Sequence, residues 1–501
     1  MHSAHRRLAL LFAVPGPKGR LLTALALTAL VAVLAALHAS KFGEPMFPVD
    51  DAYISLHNAE VLVSPGLDTA FVGTPAMVGS TSAVHVALIA IFLTVLPPLW
   101  ALWTVAFLGA LAYALATLRL AFVLRASIPE ALLMVAASVM VSQMPHQLLN
   151  GLETGWALAG LTYAIAAARS PVARPWELPV ACGVLPFLRP ELVAVSGLLM
   201  LVRVVSDLRS GGLLVALRSA GFFAAAASPW LLLYLVDTGT LYPNTIEAKR
   251  NFFAEGCWAP EARLAKVRES FVQFREGIGY FAYAAALLFM TITGWVGLIF
   301  GAVFTYTYYE RFPGALEHYE QRYMYALIPW LFYATAQLIA SQKLLPRLLA
   351  AALFGVCIWQ AYPRLGPRWA FHESCVGFTR FELDPLASWL DTNARGQKLL
   401  LHDAGYVGFF VDAPMADMVG LKTPASIEPH RELTWAQCSG AARNEAIHRI
   451  ALHEQPKYVV LLAGWDHIYG ISQGLRAHGW QLEPRYQHFY VVFEVTGKPS
   501  I

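Results

Sequence analysis

Apolar runs of membrane-spanning length recur along this chain from Leu21 to about Tyr362. A helix needs roughly 20 mostly apolar residues to cross the hydrocarbon core of a bilayer. The first run, residues 21–37, consists mainly of Leu, Ala and Val, and 57% of all 501 residues are hydrophobic while only 14% are charged. The sequence therefore predicts an all-α membrane domain, a polytopic helical bundle, and excludes a soluble enzyme.

The hydropathy pattern predicts eleven transmembrane helices and one additional helix on the outer membrane surface. The additional helix covers residues 82–96, because a full crossing there would place the later arginine pairs outside. Residues 278–309 form either two spans or one bent span. The predicted spans lie near 21–39, 99–123, 129–145, 155–168, 177–188, 190–205, 213–236, 278–292, 294–309, 323–341 and 345–362.

Positively charged residues predict the orientation of these spans. Basic residues concentrate in cytoplasmic loops, so the N-terminus is expected in the cytoplasm, and the Asp50–Asp51 loop and the C-terminal region are expected outside. The residues that support this count are His2, His5, Arg6, Arg7, Lys18 and Arg20 before the first span, and Arg119, Arg125, Arg169, Arg174, Arg203, Arg209, Arg218, Lys343 and Arg347 in connections expected inside.

The composition changes near residue 370, which divides the chain into a membrane domain of residues 1–369 and an extracytoplasmic domain of residues 370–501. In the second part, strands are predicted at 398–402, 458–462 and 490–493 and helices at 384–393 and 444–454. We expect a small α/β domain there. Cys375 and Cys438 both lie in it, where an oxidising compartment would permit a disulfide.

The charge pattern argues against two classes of partner. The net charge of +3 is spread along the chain, so no basic stripe predicts nucleic-acid binding. The sequence also lacks a GxxxxGK[ST] phosphate loop, which gives no support for direct use of a nucleotide.

Asp50 and Asp51 follow the first apolar run by a few residues. Adjacent carboxylates near lipid repel each other, and burial pushes their pKa values up and apart. Such a pair suits general-base catalysis or the binding of a divalent cation, with Glu153 as a candidate third ligand. The alternative is that two solvated loop acids cap a helix that starts at Ala52.

Other polar side chains are candidate donor-binding or substrate-binding residues in loops expected on the same side of the membrane. Each also has an ordinary structural interpretation: an interface histidine, an acid at a helix start, a snorkelling arginine or a lipid head-group contact. A guanidinium or ammonium at the membrane face also suits a phosphate group. The candidates are Tyr53, His57, Glu153, Arg189, Asn244, Lys249, Arg250 and Arg322.

Several motifs in order along the chain resemble the GT-C superfamily of polytopic glycosyltransferases, and most closely the bacterial cell-wall arabinofuranosyltransferases. The likeness covers about residues 20–425. Its motifs are Asp-Asp-Ala-Tyr-Ile-Ser at 50–55, Gly-Leu-Glu-Thr at 151–154, Arg-Pro-Glu at 189–191, Pro-Asn-Thr-Ile-Glu-Ala-Lys at 243–249, Arg322-Tyr323, His-Asp-Ala-Gly-Tyr-Val-Gly at 402–408 and Asp-Met-Val-Gly-Leu at 417–421.

The resemblance implies a sugar transfer from a polyprenyl-phosphate donor to an extracytoplasmic glycan, lipid or protein acceptor, within a bacterial inner membrane. Asp51 or Asp50 would act as general base on the acceptor hydroxyl, and we favour Asp51 as the one nearer the helix start. A lipid-phosphate leaving group needs no general acid, only cations such as Arg189, Lys249 and Arg250. No cofactor is required by this chemistry, although a divalent cation on the carboxylates is left open.

The sequence departs from the family pattern at residues 56–59, Leu-His-Asn-Ala, and at residues 78–85. These differences leave the transferred sugar and the acceptor open; arabinofuranose or another pentose or hexose would fit. The rival interpretation is a transporter or flippase of lipid-linked or small polar solutes, but such proteins usually show internal repeats and charges within their spans.

Overall fold

The structure is a computed structural model that describes residues 13–499. The membrane part is built of helices in the following order. They are α1 Pro17–Phe42, α2 Asp50–Val63, α3 Ala83–Leu93, α4 Pro98–Val123, α5 Ile128–Met140, α6 Met144–Leu149, α7 Thr154–Arg169, α8 Glu177–Leu188, α9 Leu192–Thr238, α10 Thr245–Phe253, α11 Pro260–Ile278, α12 Ile292–Arg311, α13 Ile328–Ala340, α14 Leu344–Ala361 and α15 Leu365–Phe378.

Most of the predicted spans correspond to helices, but the number eleven is not confirmed. Within residues 13–499, four helical stretches are long and apolar enough to cross a membrane by length and composition. Several other apolar helices are shorter, with 13 residues in α5 and 12 in α8. The four long stretches are Pro17–Phe42, Pro98–Val123, Pro313–Ala340 and Leu344–Asn393.

One pair of predicted spans meets at a kink, and a second pair has a different local structure. Residues 190–205 and 213–236 lie on the two sides of Gly212, whose φ of 76° and ψ of -172° are not helical, so α9 consists of two helices joined at a kink, where the sequence predicted two spans. Residues 279–290 form a 3₁₀ helix rather than an α-helix, and α12 follows it after Thr291, whose side chain accepts a hydrogen bond from the Gly294 amide. The basic residues His2, His5, Arg6 and Arg7 lie outside the described residues.

The predicted surface helix is α3. It begins after Ser82, whose hydroxyl accepts a hydrogen bond from the His85 amide, and it ends before Pro97 and Pro98, where α4 starts. His85 lies within 3.1 Å of the Gly151 carbonyl oxygen, and Ser82 donates to the Phe187 carbonyl at 3.0 Å. These contacts fix α3 beside the first turn of α7 and the end of α8.

The C-terminal part contains the predicted α/β domain. Among the described residues, five strands form one sheet in the order β2-β1-β3-β5-β4, with β1 parallel to β2 and β3, and β5 antiparallel to β3 and β4. Sequence periodicity predicted β1, β3 and β5 but missed β2 and β4. The elements are α16 Asp384–Asn393, β1 Leu399–Leu401, α17 Tyr406–Phe410, β2 Met415–Asp417, α18 Gly440–Glu454, β3 Tyr458–Leu462, α19 Ala463–Tyr469, α20 Ile471–Ala477, β4 Gln481–Gln487 and β5 Tyr490–Gly497.

The two parts of the chain share one continuous hydrophobic core. The start of α2 packs against α17, where the Tyr53 and Tyr406 rings lie 4.8 Å apart. At Gly405 a Cβ atom would lie only 2.0 Å from the Asp50 carbonyl oxygen, so only glycine permits this approach. Residue 370, the predicted domain boundary, lies inside α15.

The disulfide does not join Cys375 and Cys438, the pair that the sequence left open. Cys438 is bonded to Cys257, in the short turn after α10, and Cys375 is a free thiol. The expectation considered only cysteines within the C-terminal part, whereas the chain brings the α10 segment against the helical turn at His430–Trp435. The bond therefore links the membrane part to the C-terminal domain covalently.

Candidate active site

The first turn of α2 presents Asp50 and Asp51 in different directions. The helix begins at Asp50, two residues earlier than predicted, after Val49 in extended conformation. Carboxylates in the first turn of a helix are stabilised by its free amide groups and dipole. Since successive helical residues are about 100° apart around the axis, the two carboxylates reach different partners.

Asp50 contacts the C-terminal domain. Its two carboxylate oxygens accept hydrogen bonds from the backbone amides of Gly405 and Tyr406, at 2.8 and 2.7 Å. Burial and the neighbouring Asp403 carboxylate raise the pKa of Asp50 to about 8, although both amide bonds oppose the shift. Asp50 is therefore occupied in anchoring α17.

Asp51 faces basic side chains instead. Its Oδ2 atom lies 3.5 Å from Lys249 Nζ and 3.5 Å from Arg322 Nη1. Burial acts to raise the pKa of Asp51, but the charges of Lys249 and Arg322 outweigh it and lower the pKa to about 2. Asp51 is thus an ionised carboxylate whose contacts to the two basic groups are long.

Asp51 lines a narrow polar cleft between α2, α10 and the C-terminal domain. Its free volume is about 20 Å³, which holds about one water molecule. A sugar would need one wall to move. The lining residues are Asp51, Ile54, Ser55, Gly79, Thr81, Ser82, Leu152, Glu153, Thr245, Lys249, Arg322 and Leu421.

Buried polar atoms at this cleft lack partners. Within residues 13–499, Arg322 Nε and Nη1 and Glu153 Oε1 make no hydrogen bond. Arg322 is held in place at its other end, where Nη2 donates to the Tyr323 hydroxyl at 3.0 Å. An unsatisfied buried polar group costs about 1–3 kcal/mol, so the cleft is shaped for a polar ligand.

Arg189 sits behind the cleft rather than in its lining. Its Nη2 lies 2.7 Å from Glu191 Oε1 and its Nε lies 3.6 Å from Glu153 Oε1. It also donates from Nη1 to the Arg322 carbonyl at 3.2 Å. Arg189 therefore orients Glu153 and the backbone of Arg322.

A larger, mostly apolar cavity adjoins the cleft. Its volume is about 350 Å³, and it shares Thr81, Thr245 and Lys249 with the cleft. Val193, Ala194 and other apolar residues of α9 and α12 form its walls, and Arg250 and Arg311 contribute positive charge. The arrangement joins an apolar space to a cationic polar cleft.

The remaining candidates from the sequence lie outside the cleft. The Tyr53 hydroxyl accepts a hydrogen bond from the Phe47 amide at 2.9 Å, and the side chain is buried. Asn244 donates to the Gly420 and Leu421 carbonyls and accepts from the Gly79 amide. Arg250 lies 4.2 Å from the centre of the Trp435 ring at the rim of the apolar cavity.

His57 belongs to a separate cluster that the sequence did not reveal. His57 Nε2 lies 2.7 Å from Asp68 Oδ2, and Lys422 Nζ lies 3.0 Å from the same oxygen. Lys422 also donates to Asn58 Oδ1 at 2.7 Å. The other oxygen of Asp68 accepts the Ala70 and Phe71 amides at 3.0 and 2.9 Å.

The carboxylates named as metal ligands do not form a ligand set. Asp50 binds two backbone amides, Asp51 faces Lys249 and Arg322, and Glu153 faces Arg189. Across residues 13–499, no group of three or more His, Cys, Asp or Glu side chains is arranged to hold a metal ion. These residues do not fit a resident cation, so we derive no step through one.

Asp403 joins the site from the C-terminal domain. The residue follows β1, and its Oδ2 accepts a hydrogen bond from the Tyr490 hydroxyl at 2.7 Å and lies 3.1 Å from His402 Nε2. His402 lowers the pKa of Asp403 despite its burial. The sequence offered two signals for it, because Asp403 follows the strand predicted at 398–402 and lies in the motif at 402–408 that resembles the GT-C superfamily.

The segment beside Asp51 is strained. Tyr319, Glu320 and Gln321 have φ values of 45°, 57° and 57°, and left-handed backbone costs a non-glycine residue about 1–2 kcal/mol. His318, at the start of the segment, has its pKa lowered to about 3 by burial and by Lys249. Strain of this kind concentrates at functional sites.

The architecture can be compared with solved structures. ArnT from Cupriavidus metallidurans in its apo crystal structure aligns with 95% of this chain and 98% of its own, with a TM-score of 0.53 and 15% sequence identity. ArnT is a GT-C glycosyltransferase. The chain has a GT-C fold. The fold that the sequence motifs predicted is therefore confirmed.

Two other solved structures give lower scores. The mycobacterial arabinofuranosyltransferase AftD aligns with 95% of this chain and 40% of its own at 13% identity, with a TM-score of 0.46. The Archaeoglobus fulgidus oligosaccharyltransferase aligns with 93% of this chain and 73% of its own at 11% identity, with a TM-score of 0.44. The GT-C assignment rests on ArnT.

Comparisons of the sequence alone match only the C-terminal part of the chain. Residues 377–497 match the family model described as "Domain of unknown function (DUF8728)", which covers the C-terminal domain alone. No curated protein sequence matches the chain.

Proposed function

We propose that this GT-C protein is a membrane glycosyltransferase that moves a sugar from a polyprenyl-phosphate donor to an extracytoplasmic acceptor. The observation that carries the proposal is the position of Asp51, an ionised carboxylate in a polar cleft that shares Thr81, Thr245 and Lys249 with an adjoining apolar cavity of about 350 Å³. One side of this junction suits a lipid, and the other suits a sugar and its phosphate.

The reaction that fits this geometry is a displacement at the anomeric carbon. Asp51 accepts the proton of the acceptor hydroxyl, the oxygen forms the new glycosidic bond, and the bond from the sugar to the lipid phosphate breaks. The phosphate leaves with both electrons of that bond and is already ionised, so no acid is needed at that end. A base with a pKa near 2 is weak in the resting site, and bound phosphate would draw Lys249 and Arg322 away from it.

Lys249 and Arg322 are the proposed phosphate-binding groups. Both already contact an anion, Asp51, and two donors of Arg322, Nε and Nη1, make no hydrogen bond, so a phosphate would satisfy them. A planar guanidinium binds phosphate oxygens in a bidentate manner, and charge-assisted hydrogen bonds are about twice as strong as neutral ones. Arg189 supports Arg322 through its carbonyl and has an indirect role.

The Cys257–Cys438 bond supports the proposed orientation. Disulfides persist in oxidising compartments such as the bacterial periplasm, and this one lies beside α10, which carries Lys249. We propose that the cleft and the C-terminal domain face outward and the N-terminus faces the cytoplasm of a bacterial inner membrane. An affinity tag at Ile501 should then react with a membrane-impermeant label added from outside, and labelling from the cytoplasm alone would overturn this orientation.

The decisive experiment identifies the donor and tests the base together. The protein is purified in lipid nanodiscs, and the lipid-linked sugar that it retains is identified by mass spectrometry. Transfer from that donor is then measured for the wild type, Asp51→Asn, Asp50→Asn and the double variant. We expect Asp51→Asn to lose most activity with donor binding retained, Asp50→Asn to lose activity through the loosened α17 anchor, and the double variant to be inactive.

Glu269→Gln is the matched control, because Glu269 is exposed on α11 and its one ion pair within residues 13–499 is with Lys266, at 3.8 Å. Full activity of the double variant would refute the assignment of the base. Retention of a soluble solute and no lipid-linked sugar would favour transport instead.

A further inference from the structure

A further cavity is lined in part by the strained segment and has a different character from the apolar one. It has a volume of about 640 Å³, and Glu320 and Gln321 form part of its wall. The same segment begins at His318 and ends at Arg322, whose charges act on Asp51. Since consecutive Cα atoms are 3.8 Å apart, the cavity wall reaches within about 10 Å of the Asp51 contacts.

The charges of this cavity are balanced. Its charged lining residues are Glu276, Glu320, Arg364 and Arg368, two of each sign. Both arginines are already bound to backbone carbonyls, Arg364 to Glu276 and Arg368 to Met140, at 3.0 and 3.1 Å. Bonds to neutral carbonyls leave the charges of both arginines in place, but the two carboxylates of the same lining balance them, so the lining as a whole favours a neutral ligand.

Free hydrogen-bonding groups remain in the cavity. Within residues 13–499, the Glu276 and Glu320 carboxylates make no hydrogen bond or ion pair, and the buried Gln143 Oε1 has no partner. Phe371 adds an aromatic ring to the same wall. Carboxylate and amide oxygens that accept from hydroxyl groups, beside an aromatic face, are the chemistry that recognises a sugar ring.

The Tyr319 ring of the segment between this cavity and Asp51 packs against the hydrophobic core, and two glutamine side chains form hydrogen bonds at the segment. Gln147 Nε2 donates to the Tyr319 carbonyl at 2.6 Å, and Gln321 Nε2 donates to Gln273 Oε1 at 3.2 Å. Three consecutive left-handed residues make this wall the part of the site with the strongest backbone preference for another conformation. A move of this wall would open the narrow cleft toward the polar cavity.

We infer that this polar cavity binds the acceptor and that the acceptor is a neutral glycan, whose hydroxyl reaches Asp51 past residues 319–321. The inference rests on the proposed transfer reaction and selects one acceptor class from glycan, lipid and protein. Donor and acceptor then approach Asp51 from opposite sides, through an apolar cationic cavity and a polar neutral one.

The test uses the full-length protein in nanodiscs and an array of neutral oligosaccharides built from hexoses and pentoses. Wild-type protein should bind at least one of them. Glu320→Gln and Gln143→Leu should each weaken that binding by about 10-fold, the effect of one lost hydrogen bond to a charged or buried group. Glu269→Gln, on the same helix as Glu276 but outside the cavity, should bind as the wild type does.

Donor binding, followed by mass spectrometry of the retained lipid, separates the two proposals. If donor binding persists but no neutral glycan binds, or if both cavity variants bind unchanged, the acceptor inference is wrong while the proposed transfer stands. Binding only to vesicles that contain a glycolipid would also overturn it in favour of a lipid acceptor. If the glycan binds and the variants lose it but no lipid-linked sugar is retained, the proposed donor reaction fails instead.

Discussion

Two aspartates, the half-buried Asp51 and the buried Asp68, are each paired with a lysine and differ in how completely their charges are satisfied. Asp68 has contacts of 2.7–3.0 Å to His57, Lys422 and two backbone amides. Asp51 has only two contacts of 3.5 Å, and its partner Arg322 retains two buried donors without hydrogen bonds. The Asp68 cluster, whose charges are fully paired, joins parts of the fold. The Asp51 cluster still has groups that a substrate could bind.

Replacing Asp51 with Asn gives the largest expected effect on activity. Loss of a general base lowers transfer by about 10²–10⁴-fold, and stability should not fall because the contacts of Asp51 are long. The measurements are initial transfer rates and thermal unfolding of the same preparation. A variant that unfolds early but keeps its rate would reverse the roles assigned to the two aspartates.

Replacing Asp68 with Asn should have the opposite outcome. It leaves Lys422 buried without its charge partner, which costs about 3–5 kcal/mol. The folded fraction should still transfer at close to the wild-type rate. The double variant Asp68→Asn/Lys422→Met removes both charges and should recover most of the lost stability in denaturant titrations; no recovery would show that the pair itself is not responsible.

Truncation of Lys249 to Ala should affect the donor. We expect the donor KM to rise by about 10–100-fold, because one charge-assisted contact to phosphate is lost. Lys249→Arg retains the charge and is the matched control. An unchanged donor KM in Lys249→Ala would leave Arg322 alone as the phosphate-binding group.

Lowering the pH should remove the contribution of Asp68 to the free energy of unfolding, because its pKa is lower in the folded protein than in the unfolded chain. Hydrogen bonding from His57 and the charge of Lys422 lower the pKa of Asp68 to about 2 against the opposing effect of burial, while an unfolded aspartate titrates near 3.9. The stabilisation is present above about pH 4 and is lost as the pH falls toward 2. The stability difference between wild type and Asp68→Asn should shrink over that range; a constant difference would mean that Asp68 is not ionised in the fold.

Local signals in the sequence predicted the elements and part of the site. Hydropathy located most membrane helices, alternation located three strands, and loop charges on one side brought Asp51, Glu153, Lys249 and Arg322 into one group that the structure places around a single cleft. The roles of these residues stay predictions. Asp50 and Asp51 looked equivalent because adjacent carboxylates have the same composition, and only their partners separate them.

Contacts between residues that are far apart in the sequence could not be predicted from local sequence patterns. Lys422 contacts Asn58 across 364 residues, and Cys257 pairs with Cys438 across 181. Lys422 lies in a short loop where a solvated lysine is the ordinary expectation. The count of eleven spans also stays unconfirmed, because within residues 13–499 four helical stretches are long and apolar enough to cross a bilayer and several other apolar helices are shorter.

The bond between Asp50 and the Gly405 amide spans 355 residues of chain. Ribosomes add about 5–20 residues per second, so the acidic turn waits on the order of 20–70 seconds after its own synthesis before its partner emerges. During that interval the membrane holds a nearly complete helical bundle with an unfinished site. A truncated or stalled product therefore has no assembled centre, which couples the onset of activity to the completion of translation.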